Sequence, residues 1–178
     1  DEFYRGLDEL KAFGLEPVFN DSVFLRSDYV AGSPSDRARS FVEMWRDPSI
    51  AGVIAARGGY GSAQLLPFLN TTDFRSTPKV LIGCSDITSL LSFASIQCEM
   101  TVFHGPMVVT LGKGERLYDR TSLIGQIMSG APYGSLVCDG IDVLKSGSTQ
   151  GPIYGGTLTQ IVASLGTPFS FNPPDKYV

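Results

Sequence analysis

Two apolar runs constrain this chain most. Ala51–Ala56 and Val80–Gly83 are rich in Val, Ile and Leu and have the length of single strands; the first ends at Arg57-Gly58-Gly59 and the second at Gly83. A strand with one wet face alternates apolar and polar residues. A strand that is apolar throughout must be covered on both faces, which is the habit of a parallel sheet sandwiched by helices. Helix patterns lie between the runs. Phe3, Leu7, Leu10 and Phe13 recur at helical spacing over residues 1–13, with Gly14 as a stop. Ser33-Pro34-Ser35-Asp36 is a helix-start signal ahead of Ala38, Phe41, Val42 and Trp45. Further helices are predicted near residues 62–69, over Asp86 to Ser95 and over 119–129, with short strands at 15–19 and Thr101–Phe103. The alternation predicts the α/β class, with a parallel sheet flanked by helices.

From Gly130 to Gly151 the texture changes to Gly, Ser and turn signals, with strand-like pieces at 135–138 and 142–145. A strand, a Gly-Gly turn and a helix carrying Leu158, Ile161, Val162 and Leu165 follow, and Lys176-Tyr177-Val178 reads as a strand just begun. The expected division is residues 1–132 as an α/β domain, 133–150 as a linker or crossover, and 151–178 as the start of a second domain. Asp1 already lies inside a helix pattern, so the native start is expected to be missing, and no signal peptide is visible.

Composition excludes several classes. The hydrophobic fraction of 43% supports a packed core, and a net charge of -4 argues against nucleic acid as the partner. Cys84, Cys98 and Cys138 show no CxxC spacing and no adjacent histidine, so neither a disulfide framework nor a zinc site is expected; they read as reduced cytoplasmic thiols. No apolar run approaches the roughly 20 residues of a membrane span. No metal or cofactor is expected.

Chemistry concentrates in three segments. In Val80-Leu81-Ile82-Gly83-Cys84-Ser85-Asp86-Ile87-Thr88 a buried strand turns at once into a helix. Such a turn pushes the serine out at the carboxyl edge of the sheet, beside free helix amides that favour developing negative charge. Ile87 stands where the α/β-hydrolase elbow has glycine. The competing reading is that Ser85-Asp86 merely caps a helix. The second segment, Arg57-Gly58-Gly59-Tyr60-Gly61, exposes backbone N–H groups at the same edge. It serves an oxyanion or a phosphate, or it is only a tight connection that needs positive φ. It lacks the Lys-Ser/Thr ending of a Walker loop. The third, Phe103-His104-Gly105-Pro106-Met107, holds the one histidine of the chain. His104 reads either as the partner of Ser85 or, more simply, as a histidine hydrogen-bonded under a loop.

Together and in this order, Ala56–Gly61, Gly83–Asp86, His104–Met107 and Gly155–Leu158 resemble the pattern of the LD-carboxypeptidase family, the S66 serine peptidases, which includes the microcin C7 self-immunity proteins. The match runs from about residue 15 to the end, with Thr157 where asparagine is common. The resemblance implies a Rossmann-like nucleophile domain and a Ser-Glu-His triad. Ser85 maps onto the nucleophile, and the backbone N–H of Asp86 with that of Gly58 or Gly59 onto the oxyanion hole. Arg57, Tyr60, His104, Gly105 and Met107 map onto substrate-binding positions. The triad glutamate and histidine map beyond residue 178, and the family's opening strand before Asp1, so the chain reads as a fragment that is inactive and sticky alone. The implied reaction is hydrolysis of the amide before the terminal D-amino acid of murein tetrapeptide, in cytoplasmic peptidoglycan recycling, by an enzyme that is a homodimer when full length. Two alternatives stay open. One is a microcin-immunity-like hydrolase of peptidyl-nucleotide conjugates. The other is a non-catalytic α/β domain that binds a small molecule.

Overall fold

The computed structural model describes residues 1–129, 134 and 140–174. Three short parallel strands, β1 (Gly52–Ile54), β2 (Val80–Gly83) and β3 (Phe103–His104), form one sheet in the order β1-β2-β3. Val53 pairs with Leu81, and Gly83 with His104. Successive side chains of a strand point to opposite faces, and here they separate two cores. Val53 and Leu81 join a cluster with Trp45, Leu66, Phe74, Leu90 and Phe93. Ile54 joins one with Leu7, Leu10, Phe13, Val108, Leu111 and Leu123. The sheet is therefore parallel and covered on both faces, as its apolar strands require.

On one face lie α2 (Pro34–Arg46), α3 (Thr71–Ser76) and α4 (Thr88–Ser92). Ser33 caps α2 by accepting the Asp36 N–H at 3.1 Å, with Pro34 in the first turn, as its start signal predicts. The Trp45 and Phe74 rings stack at 4.5 Å between centroids, and Trp45 is fully buried. The opposite face carries α1 (Glu2–Ala12), α5 (Val108–Leu111) and α6 (Arg120–Met128). Here α1 and α5 touch backbone to backbone. A Cβ on Gly6 would lie 2.0 Å from the Val108 carbonyl oxygen, so only glycine allows the approach.

Several expected elements are absent. Residues 15–19 form no strand or ladder among the described residues. An apolar run makes a strand only where a neighbour takes its N–H and C=O groups, and Pro17 has no N–H to give. Residues 142–145 and the stretch from Gly151 to the helix likewise form no strand; Ile141, Val143 and Leu144 are exposed. β1 stops at Ile54 instead of Ala56, because the Ala55 and Ala56 carbonyls accept the N–H groups of Val108 and Val109 at 3.1 and 3.0 Å. The predicted helix at 62–69 is a 3₁₀ helix, Ser62–Phe68. The expected pieces at 135–138 and 176–178, and Cys138, lie outside the described residues. A last helix, α7 (Leu158–Ser164), sits against α4. Among the described residues no helix is long and apolar enough to cross a membrane.

Candidate active site

The turn after β2 is built around an unusual backbone. Ser85 has φ 56°, in the left-handed region. A residue with a Cβ pays on the order of 1–3 kcal/mol for such a conformation, and it persists only where its surroundings hold it. They do so here on both sides of β2. The Ile82 carbonyl accepts the Ala55 N–H at 3.0 Å, and the Gly83 carbonyl accepts the Gly105 N–H at 3.0 Å. Gly83 is required for space: a Cβ there would lie 2.5 Å from Ile87 Cγ2. A helical run then continues from Ser85 through α4 to Gln97.

The capping reading of Ser85-Asp86 does not hold. Cys84 occupies the cap position, and neither the 3₁₀ turn Ser85–Ile87 nor α4 has a side-chain cap bond. Ser85 is exposed, while Asp86 is buried.

The glycine-rich loop passes directly over the serine. A Cβ on Gly58 would stand 3.5 Å from Ser85 Cβ and 3.3 Å from Met107 Cε. Gly59 and Gly61 have φ 139° and 105°, the positive values that the tight-connection reading calls for. None of the described hydrogen bonds uses the N–H of Gly58 or Gly59. The Asp86 N–H lies in the first turn of its helical run, where an amide has no carbonyl behind it. The Gly58 backbone thus lies beside Ser85, and neither its N–H nor that of Gly59 has a described partner.

Ser85 opens into a cavity of about 680 Å³, lined also by Glu2, Arg57, Gly58, Gly59, Met107 and Lys113. Arg57 is exposed, and its Nε donates to the Gly58 carbonyl at 3.2 Å; among the described residues it forms no ion pair. Lys113 stands 3.8 Å from Glu2. The structure does not bring every expected residue here. Tyr60, His104 and Gly105 are absent from the cavity lining. His104 is exposed at the end of β3, and among the described residues its side chain makes no hydrogen bond, to Ser85 or under a loop. Its neighbour in the register, Gly83, has no side chain to meet it. Burial pushes the Cys84 thiol up and the Cys98 thiol up to about 11.

Sequence reasoning missed three contributors. Lys113 and Glu2 carry no motif signal, since they are brought to the cavity only by the α1–α5 contact. The Asp86 side chain was readable only as a cap, yet it accepts the Ser62 N–H at 2.9 Å across 24 residues of chain.

Residues 1–105 match the family model described as the LD-carboxypeptidase N-terminal domain. A Streptomyces coelicolor protein named as a candidate carboxypeptidase is 32% identical over 172 residues, covering 94% of this chain and 55% of that protein. The murein tetrapeptide carboxypeptidase of Pseudomonas aeruginosa is 30% identical over 171 residues, covering 90% of this chain and 54% of the relative. Among solved structures, a muramoyltetrapeptide carboxypeptidase from Oxalobacter formigenes superposes with a TM-score of 0.77 at 27% identity, over 97% of this chain and 57% of that one. The microcin C7 self-immunity protein MccF gives a TM-score of 0.79 at 24% identity, over 95% and 59%, a likeness of fold alone. The chain spans about half the length of the curated relatives it matches.

Proposed function

This chain belongs to the LD-carboxypeptidase family, and on that premise we propose that it carries the nucleophile and oxyanion hole of a serine carboxypeptidase. The substrate is a murein tetrapeptide, cleaved at the amide before its terminal D-amino acid. Ser85 Oγ attacks the amide carbonyl carbon and gives its proton to a histidine base, which the family supplies downstream of the residues present here. The carbonyl oxygen becomes an oxyanion and is held by the N–H of Asp86 and that of Gly58 or Gly59. As the tetrahedral centre collapses, the C–N bond breaks, and the departing amine of the D-amino acid takes up the proton. Water then attacks the acyl-serine, releases the tripeptide acid and restores the hydroxyl. Arg57, on the cavity wall, pairs with the terminal carboxylate of the substrate. The proposal includes a cytoplasmic role in peptidoglycan recycling and a homodimer.

One observation carries this reading: Ser85 is held at φ 56° on the rim of a cavity, with Gly58 packed against it. The murein substrate is preferred to a peptidyl-nucleotide conjugate because a murein tetrapeptide carboxypeptidase at 30% identity and a solved muramoyltetrapeptide carboxypeptidase at 27% match 90% and 97% of this chain. The test is release of D-alanine from tetrapeptide by the full-length protein. Ser85→Ala is expected to lower kcat by at least about 10³-fold. Turnover of a peptidyl-nucleotide conjugate and not of tetrapeptide supports the microcin-type reading, and ligand binding with no turnover of either supports a binding module.

A further inference from the structure

Asp86 is buried, 6% exposed, one residue after the serine. A buried carboxylate is costly unless its oxygens are hydrogen-bonded, and the two oxygens of this one go to different parts of the molecule. Oδ2 accepts the Ser62 N–H at 2.9 Å, where the glycine-rich loop ends. Oδ1 accepts Gln160 Nε2 at 3.2 Å, from α7. The Ser62 hydroxyl returns to donate to the Asp86 backbone carbonyl. Each arm is braced. Arg37 donates from Nη1 to the Gly61 carbonyl at 2.9 Å and from Nη2 to Gln64 Oε1 at 2.7 Å, which holds the loop end from behind. Burial lowers the Arg37 pKa, and the charge of Asp86 opposes that. On the other arm, Ser89 Oγ donates to Gln160 Oε1 at 3.0 Å, and the Thr157 N–H donates to Thr88 Oγ1 at 3.0 Å.

One carboxylate therefore joins the serine turn, the loop above it and the helix behind it. The two amides proposed for the oxyanion hole sit on the two segments it ties. The amide of Asp86 is its own, and Gly58 and Gly59 belong to the loop that ends at Ser62. A shift of the loop by a few tenths of an ångström alters a hydrogen bond that exists only in the transition state. α7 makes its described polar contacts with the start of the helical run, at Asp86, Thr88 and Ser89.

We propose that Asp86 is a positioning residue: its side chain sets the spacing of the oxyanion hole and makes that spacing depend on the docking of α7. This rests on the serine-hydrolase reading given above. The test uses the full-length protein, steady-state kinetics on a tetrapeptide ending in D-alanine, and thermal melting. Asp86→Ala is expected to lower kcat about 30-fold or more, with KM within about two-fold, because the lost contact matters in the transition state. Asp86→Asn should recover part of that loss, since its side-chain carbonyl still accepts the Ser62 N–H. Gln160→Ala, at the edge of the contact, should lower kcat about three- to ten-fold at unchanged KM and little-changed Tm. If Asp86→Ala does not fold, Gln160→Ala and Asp86→Asn carry the test. Wild-type kcat in both, with Ser85→Ala inactive, overturns the positioning role alone. Turnover that survives in Ser85→Ala overturns the serine-hydrolase reading and this inference with it.

Discussion

At the carboxyl edge of the sheet Leu81 is 2% exposed, the Asp86 carboxylate is buried and bonded through both oxygens, and three loops lean on one another. From Gly140 onward, Leu144 is 100% and Ile153 95% exposed, and Leu158 and Val162 of α7, with Leu165 just after it, are open to solvent. The two regions use apolar residues in opposite ways. At the sheet edge they fix the geometry of a reactive turn. In the later segment α7 itself is held by polar contacts, from Thr157, Gln160 and their partners, and an apolar anchor follows it, Phe169 against Phe93. The comparison teaches that the placement of Ser85 belongs to the first region's packing, while the later segment adjusts it through a few directional bonds.

The contrast is sharpest at Trp45, buried and in ring contact with both Phe41 and Phe74, which also meet each other. Trp45→Ala is expected to destabilise the chain by about 3–5 kcal/mol in urea unfolding. A loss below about 1 kcal/mol would break the claim that this core governs the sheet edge. Next comes Gly83→Ala, whose Cβ meets Ile87 and cannot be accommodated without moving the serine turn. It should cost about 1–3 kcal/mol in the same measurement and slow modification of Ser85 by a fluorophosphonate. Unchanged stability with unchanged modification would show that the turn is softer than described. Smallest is Leu144→Ser, which should leave urea stability within about 0.5 kcal/mol. A larger loss would mean that the later segment is packed after all, and the two regions would no longer differ.

Much of the first region was legible in the sequence. The Ser33 cap, the Gly14 stop and the apolar run into Gly83 all act locally, and each element formed where its signal stood. The serine turn was legible for the same reason, as strand, glycine, serine and helix in nine residues. What was not legible depends on distant partners. Residues 15–19 read as a short strand but find no neighbour to pair with among the described residues. His104 was read as a histidine under a loop or as a partner of Ser85, yet β3 leaves it exposed and off the cavity wall. Asp86 has the composition of a cap, and only the return of Ser62 and Gln160 to it through space makes it a bridge.

The most direct measurement is mass spectrometry of the full-length protein after treatment with a fluorophosphonate, with the modified peptide sequenced. The account predicts one adduct, on Ser85, and none in Ser85→Ala. An adduct on a different serine, or tetrapeptide hydrolysis that persists while Ser85 stays unmodified, would contradict it.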